Sequence, residues 1–432
     1  MLPPTSAAPL PRWVDPAAAF AALAAGRSHV FWLDAGPDAQ AGWSWVGAGE
    51  PEDDPARVRA VDATQHPEQS PAGPFLGGWV GWVGYEAGAG AAGAPVRGRG
   101  DGIPDEMWVR TDELIAFDHA ARQVWVVSES GRGHEVAERL LAAPPVAAPG
   151  AADEARATAR HAPAEYAALI ERCRDAIREG DAYQLCLTTR FEIAGEFDPL
   201  TVYDRLRRAA PSHHGGLLRF GDVALVSATP ERFLELAEGT LRTHPIKGTR
   251  RRGADASADA ALVDDLRSDP KERAENVMIV DLMRNDLSRV CDAASVTVER
   301  LLEVETYPTV HQLVSTIAGT LDPGTTVGDV LAATFPAGSM TGAPKLSAMS
   351  ILHELEGGPR GVFAGCFGWI GSDGSGDLAM VIRSILTRPG GAYVGAGGGI
   401  TWRSQAEAEV AEVALKARAP LAALGAGLPP GW

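Results

Sequence analysis

Strand-like runs recur along this chain, few consecutive pairs are divided by a helix, and this favours an α+β fold over a regular alternation of strand and helix. Val30-Phe31-Trp32-Leu33-Asp34 and Trp43-Ser44-Trp45-Val46-Gly47 predict short strands separated by turn residues. Phe75 to Tyr85 predicts a third, with glycines at 77, 78, 81 and 84 that let backbones pack closely. Gly88 to Gly102 reads as a loop, Leu114 to Phe117 and Gln123 to Ser128 as a strand pair, and Gly133 to Ala142 as a helix. Residues 143–162 are rich in Pro and Ala without apolar periodicity, so they read as a linker between an amino-terminal region, 1–142, and a second domain, 163–425. In that second part Tyr166, Leu169, Ile170, Cys173 and Ile177 recur at helical spacing until Gly180. Strands follow at Tyr183 to Ile193, at Leu217 to Ser227 around Gly221-Asp222, and in a hairpin from Arg232 to Leu236 and Thr240 to Ile246.

Charge and cysteine usage narrow the function. A net charge of −17 argues against nucleic acid or an anionic membrane as partner, while leaving room for a small anionic substrate wherever basic residues converge. The four cysteines form no CxxC pair, which argues against a disulfide scaffold or a structural zinc site and fits a reducing compartment. No segment approaches the ~18 apolar residues of a membrane span, and Met1 to Pro11 lacks a basic start with an apolar core, so a soluble, cytoplasmic protein is expected.

Four stretches carry candidate chemistry. His244-Pro245-Ile246-Lys247-Gly248-Thr249 presents one lysine between an apolar strand and Arg250-Arg251-Arg252. Lys247 can attack only as the free amine, and at an ordinary pKa of roughly 10.4 that form is scarce. Partial burial or the like charge of the arginines would favour it; a solvated surface turn is the plainer alternative. In Ser268-Asp269-Pro270-Lys271-Glu272-Arg273-Ala274-Glu275, Asp269 suits an N-cap and Pro270 a first helical position, and Glu272 and Glu275 share a face. Ser404-Gln405-Ala406-Glu407 predicts a capping box, followed by Glu409, Glu412 and Lys416 on one face. Paired carboxylates of this kind can hold Mg²⁺, or they can complement a helix dipole or a lysine. Gly395-Ala396-Gly397-Gly398-Gly399 reads as a glycine-rich, anion-binding turn, and it is not a dinucleotide fingerprint.

Together these stretches resemble one family. Pro245-Ile246-Lys247-Gly248-Thr249-Arg250, the run from Lys271-Glu272-Arg273-Ala274-Glu275-Asn276 to Asp281-Leu282-Met283-Arg284-Asn285-Asp286, Phe335-Pro336-Ala337-Gly338-Ser339-Met340-Thr341-Gly342-Ala343-Pro344-Lys345 and Gly397-Gly398-Gly399-Ile400 look like the chorismate-utilising enzymes. That resemblance implies a large layered antiparallel β-sandwich flanked by helices. Phe31-Trp32-Leu33-Asp34 and Trp43-Ser44-Trp45 are similar to the amino-terminal region of the anthranilate synthase component I type. Where isochorismate and salicylate synthases carry a water-activating lysine, this chain has Gln184; where anthranilate synthases carry alanine, it has Lys247. Both positions resemble the aminodeoxychorismate synthase branch, with anthranilate synthase component I as the second reading. A non-catalytic anion-binding module would be expected to lack Lys247, Glu231 or the paired glutamates, and all are present.

The resemblance implies that Lys247 adds at ring C2 of chorismate as the C4 hydroxyl leaves, and that ammonia then adds at C4 and expels the lysine. It makes Glu231 the general acid/base, Glu275 and Glu412 the Mg²⁺ ligands, and Glu272 and Glu409 their supporting carboxylates. Gln184, Thr249, His311, Ser339, Arg383, Lys416 and the amides of Gly397, Gly398 and Gly399 would contact substrate. Ammonia would come from a separate glutamine amidotransferase subunit, because Gly365-Cys366-Phe367-Gly368 is not the G-x-C-x-G of such a nucleophile.

Overall fold

A computed structural model describes residues 5–67, 69–98, 101–129, 132–307 and 310–432. Its fold is α+β: a large, layered, mainly antiparallel sheet system with eleven α-helices among the described residues. Side chains that alternate along a strand fall into two different cores. Phe31, Leu218, Leu225 and Tyr393 enter one, with Trp82, Phe233, Met283, Phe335 and Trp369. Their neighbours Trp32, Leu217, Val226 and Val394 enter the other, packed with Tyr166, Tyr203, Val413 and Leu421 from helices. Strands buried on both faces explain why Val30-Phe31-Trp32-Leu33 is an unbroken apolar run rather than an alternating one. Among the described residues no helix is long and apolar enough to cross a membrane.

The amino-terminal strands belong to the same sheet as the rest. His29–Asp34 pairs antiparallel with Trp43–Pro51 on one side and with His214–Phe220 on the other. Gly78–Val83 pairs with Cys366–Gly371. Within residues 143–162 lies a strand, Ala155–Ala159, which pairs with Gln184–Ala194. Of the expected loop from Gly88 to Gly102, the first residues instead complete a helix, Tyr85–Ala91, while residues 99 and 100 lie outside the described residues.

Three local expectations are corrected. Gly395 to Gly399 is no turn: it runs inside the strand Gly391–Ile400, in register with Gln184–Ala194 from Gly391↔Ala194 to Ile400↔Leu185. The hairpin expected to run through Ile246 breaks at His244-Pro245 into Thr240–Thr243 and Ile246–Arg251, because proline has no N–H to give a ladder. Both pieces pair with Val310–Thr320. The capping box at Ser404 does not form; its hydroxyl accepts from Thr401 N at 3.1 Å, and Gln405 stands at the N-cap without a side-chain bond. The other acidic helix, Pro270–Leu287, starts as its sequence demands: Asp269 accepts from Lys271 N at 2.9 Å and Glu272 N at 3.2 Å, with Pro270 at the first helical position.

Candidate active site

Lys247 sits on the strand Ile246–Arg251 immediately before a bulge, where the pairing moves from Lys247↔Leu313 to Thr249↔Gln312. Gly248 fills the bulge with φ +79°, a conformation that favours glycine, and any Cβ there would meet Leu266 at 2.8 Å and Glu272 at 3.1 Å. Asn276 of the acidic helix locks this segment from the side. Its Nδ2 donates to Leu313 O at 3.3 Å and its Oδ1 accepts from the Ser315 hydroxyl at 2.6 Å. The Lys247 side chain is half-buried, and among the described residues it has no hydrogen-bond or ion-pair partner.

The arginines that follow do not crowd the lysine. Arg250 is engaged by Asp265, Asp269 and Glu272 at 2.7, 2.8 and 3.6 Å, and Arg252 by Asp259 at 2.7 Å. Three carboxylates, Glu231, Glu275 and Glu412, lie within electrostatic reach of the Lys247 amine.

Glu231 lies between two strands with only 8 % of its surface exposed. Burial raises its pKa above the ordinary carboxyl value, and Lys247, the Ser339 hydroxyl and Lys416 work against that shift. Ser339 donates to Glu231 Oε1 at 3.1 Å. Arg232 is not its partner; that guanidinium binds Asp377 at 3.0 Å and Glu235 at 3.3 Å. Gln184 is fully buried, and among the described residues neither end of its amide has a hydrogen-bond partner. Such orphaned groups cost about 1–3 kcal/mol each, and a polar ligand would relieve that cost.

The glycine strand forms the adjoining wall. A Cβ at Gly399 would lie 2.8 Å from Gln184 Nε2 and 3.8 Å from Lys247 Nζ, which places both polar tips at this one backbone position. A Cβ at Gly398 would face Glu409 at 3.3 Å and Glu412 at 4.0 Å, and one at Gly397 would strike Leu187 O at 2.4 Å. Cys186 and Thr188 give their N–H groups to Thr341 O and Glu356, not to the glycine strand. By the alternation of an antiparallel ladder, Gly397 and Gly399, opposite Thr188 and Cys186, turn their own polar groups away from it. Consistent with this, Gly397 O accepts from Lys416 Nζ at 2.9 Å.

The two acidic helices, Pro270–Leu287 and Ala406–Ala423, face each other across Lys271. Its ammonium is 3.8 Å from Glu275 and 3.7 Å from Glu409, so one lysine spans both helices. Burial and the neighbouring carboxylates raise the pKa of Glu275; burial and Asp269 do so for Glu272. For Glu412 burial acts upward, yet Lys416, paired at 2.6 Å, with Lys271 and Lys247, brings the value below normal. Glu275 Oε1 is buried without a hydrogen-bond partner among the described residues. Among the described residues no three His, Cys, Asp or Glu side chains converge to ligate an ion by themselves. The acids of the two helices, Glu272 and Glu275 with Glu409 and Glu412, are nonetheless the donor type of a hard dication such as Mg²⁺, which takes one or two protein carboxylates and fills its other positions with water and substrate oxygens. Arg383 adds a largely desolvated guanidinium at φ +52°, which burial pulls below its ordinary pKa against the field of Glu412.

Two candidates stand apart. Thr249 is exposed beyond the bulge. His311 is buried, but its Nδ1 is 2.9 Å from Thr306 Oγ1 and its Nε2 2.9 Å from Asp259. The next residue, Gln312, paired with Thr249, carries a buried oxygen with no partner; sequence reading passed over it, as it did Lys271. A separate cavity of about 840 Å³, walled by Trp43, Trp45 and Trp369 with Arg232, Glu235 and His213, includes none of the candidate site residues. Burial pushes His213 there down to about 4.

A half-buried amine without a partner among the described residues, a buried acid, an orphaned amide and two facing carboxylate pairs, carried on a layered antiparallel sandwich, form a candidate site of the kind that could hold a small polar molecule. The chain belongs to the chorismate-binding enzymes, whose family profile matches residues 13–422. It is 40% identical over 391 residues to an aminodeoxychorismate synthase of Streptomyces pristinaespiralis, covering 85% of this chain and 53% of that protein. It is 37% identical over 374 residues to anthranilate synthase component 1 of Streptomyces coelicolor, covering 81% and 73%. The crystal structure of anthranilate synthase component I from Streptococcus pneumoniae superposes with a TM-score of 0.75 at 30% identity, covering 96% and 92% of the two chains. The chain spans about half the length of the Streptomyces aminodeoxychorismate synthases that it matches.

Proposed function

We propose that this enzyme aminates chorismate with ammonia to 4-amino-4-deoxychorismate, through a covalent adduct on Lys247. The observation that carries the reading is the Lys247 amine, without a partner among the described residues and within the field of buried Glu231. The two aminodeoxychorismate synthases of Streptomyces at 40% and 39% identity support it.

Each step has a residue of this chain to perform it. The Lys247 amine bonds to ring C2, and both ring double bonds shift, C1=C2 to C1=C6 and C5=C6 to C4=C5, as the C4 hydroxyl departs; protonated Glu231 supplies the proton that turns it into water. Ammonia then bonds to C4, both double bonds shift back, and the C2–N bond breaks to release Lys247 as the neutral amine. Glu231, now a carboxylate, takes the proton from the new ammonium. Arg383, Lys416 and the outward amides of Gly397 and Gly399 would hold substrate oxygens, and the Gln184 amide would meet the ring substituents. Glu275 and Glu412, backed by Glu272 and Glu409, would hold Mg²⁺, which supplies charge neutralisation at a substrate carboxylate. Ammonia would arrive from a glutamine amidotransferase partner.

The anthranilate synthase relatives keep a second reading open. Incubation of the purified chain with chorismate, Mg²⁺ and an ammonium salt separates the two. Product that becomes p-aminobenzoate only on adding the corresponding lyase supports amination at C4; direct appearance of fluorescent anthranilate overturns it.

The glycine wall gives a milder test. In Gly399→Ala the new methyl displaces the Gln184 amide from 2.8 Å, and the flexible end of that side chain can yield. We expect kcat/KM for chorismate to fall about tenfold, near 1.4 kcal/mol, while stability shifts by no more than about 1 kcal/mol. Steady-state kinetics beside a thermal melt check this; an unchanged kcat/KM would remove Gln184 from the substrate pocket.

A further inference from the structure

One buried ion pair outside the reacting groups touches both walls of the site. Arg360, 3 % exposed, forks Glu356 through Nε at 2.8 Å and Nη2 at 2.6 Å. The same guanidinium donates to Met340 O at 2.6 Å and Cys186 O at 2.8 Å, and it lies over the Tyr85 ring at 4.2 Å. Glu356 in turn accepts from the N–H and the hydroxyl of Thr188, both at 2.9 Å.

These contacts lead to defined places. Met340 adjoins Ser339, whose hydroxyl holds Glu231. The short turn Gly338–Met340 that carries them is docked on the Gln184 strand by Cys186 N donating to Thr341 O. Cys186 and Thr188 follow Gln184 on its strand and stand opposite Gly399 and Gly397. One rigid fork thus ties the acid-bearing wall to the amide-and-glycine wall.

Fold stability alone does not account for such a pair. Replacing a buried ion pair by apolar side chains of similar volume is often neutral or stabilising. What an apolar pair cannot do is fix the distance between two backbone carbonyls on different elements, and a planar guanidinium with directional N–H groups can.

We infer that Arg360 and Glu356 are positioning residues for the amination, setting the spacing between Glu231 and the Gln184–Gly399 wall; this rests on the reading of the site given above. Neither touches substrate. Their effect on the chemistry passes through Met340 and Ser339 on one side and through Cys186 and Thr188 on the other.

Glu356→Gln and Arg360→Lys test this, with Glu86→Gln as the comparison. Glu86 is buried too and accepts from Arg360 N and Gly361 N at 2.8 Å each, but it bonds neither to the Gln184 strand nor to the Ser339 turn. Misplacing a reacting group by about 1 Å can cost 10²-fold, so Glu356→Gln should lower kcat roughly 10- to 100-fold. KM for chorismate should stay within about threefold of the unaltered chain. The Ser339 bond draws the Glu231 pKa down, so its loosening should also move the Glu231 limb of the pH profile upward. Glu86→Gln should lower the melting temperature and leave kcat per folded molecule unchanged.

Equal kcat per folded molecule in Glu356→Gln and the unaltered chain, or equal losses in Glu356→Gln and Glu86→Gln, would overturn the inference. Should Arg360→Lys fail to fold, Thr188→Val, which removes only the hydroxyl bond to Glu356, must lower kcat in the same sense, and an unchanged value counts against positioning. All variants are scored by loss of chorismate. Anthranilate as the product of the unaltered chain would therefore sink the proposed reaction and leave the kcat comparison standing, while intact chorismate would sink both.

Discussion

Lys247→Ala is expected to lose at least about a thousandfold in kcat, roughly 4 kcal/mol of barrier, while the protein folds as before. The structural side follows from the environment: the side chain is half-buried and has no partner among the described residues, so its removal strands no buried polar group. The chemical side follows from the proposed two-step route, in which loss of the amine leaves the hydroxyl to be displaced directly by ammonia. Mass spectrometry of enzyme quenched with chorismate and no ammonia should show an adduct on the unaltered chain and none on Lys247→Ala. A variant that turns over at the native rate, or that still carries the adduct, would end the nucleophile assignment.

Glu231→Gln is the second large effect. General acid–base groups contribute typically about 10²–10⁴-fold, and in the proposed route both half-reactions use Glu231, so a loss toward the upper end is expected. Glutamine keeps the shape and can still accept from Ser339, so the melting temperature should change little. The sign of the pH dependence comes from burial, which raises the Glu231 pKa and keeps the acid form available further toward neutrality than for an exposed glutamate. The alkaline limb of kcat/KM reports loss of that proton and should vanish in Glu231→Gln. A variant that keeps the limb would show that another group carries the proton.

Much of the fold was legible because burial writes itself into local pattern. The runs at Val30 to Leu33 and Leu217 to Ser227 are strands, and the Asp269-Pro270 start is capped as its residue types require. The misses share a physical cause. Gly395 to Gly399 has only the Ala396 methyl as a side chain, so nothing local distinguishes a strand from a turn; its ladder partner, Cys186 to Arg190, lies about two hundred residues away. Ser404 looked like a cap until Thr401 N took its hydroxyl.

The site was legible as a set of residue types and less so as an arrangement. Arg250 to Arg252 resembled a source of like charge for Lys247, yet carboxylates from two helices neutralise Arg250 and Arg252. His311 and Gln312 are neighbours on a strand and face opposite ways, so choosing between them requires knowing which face the helices cover. The bridging role of Lys271 needs the second acidic helix beside the first, a long-range fact that no spacing encodes.

The shared sheet has a practical consequence for anyone who would cut this chain at its Pro/Ala-rich stretch. Removing the amino-terminal strands would unzip His214–Phe220 from one neighbour and Cys366–Gly371 from another, leaving rows of unsatisfied N–H and C=O groups flanked by apolar side chains. Bare borders of that kind recruit one another. A piece severed there is expected to clump before it can be assayed, because the strands that cover those two edges all lie within the first 142 residues.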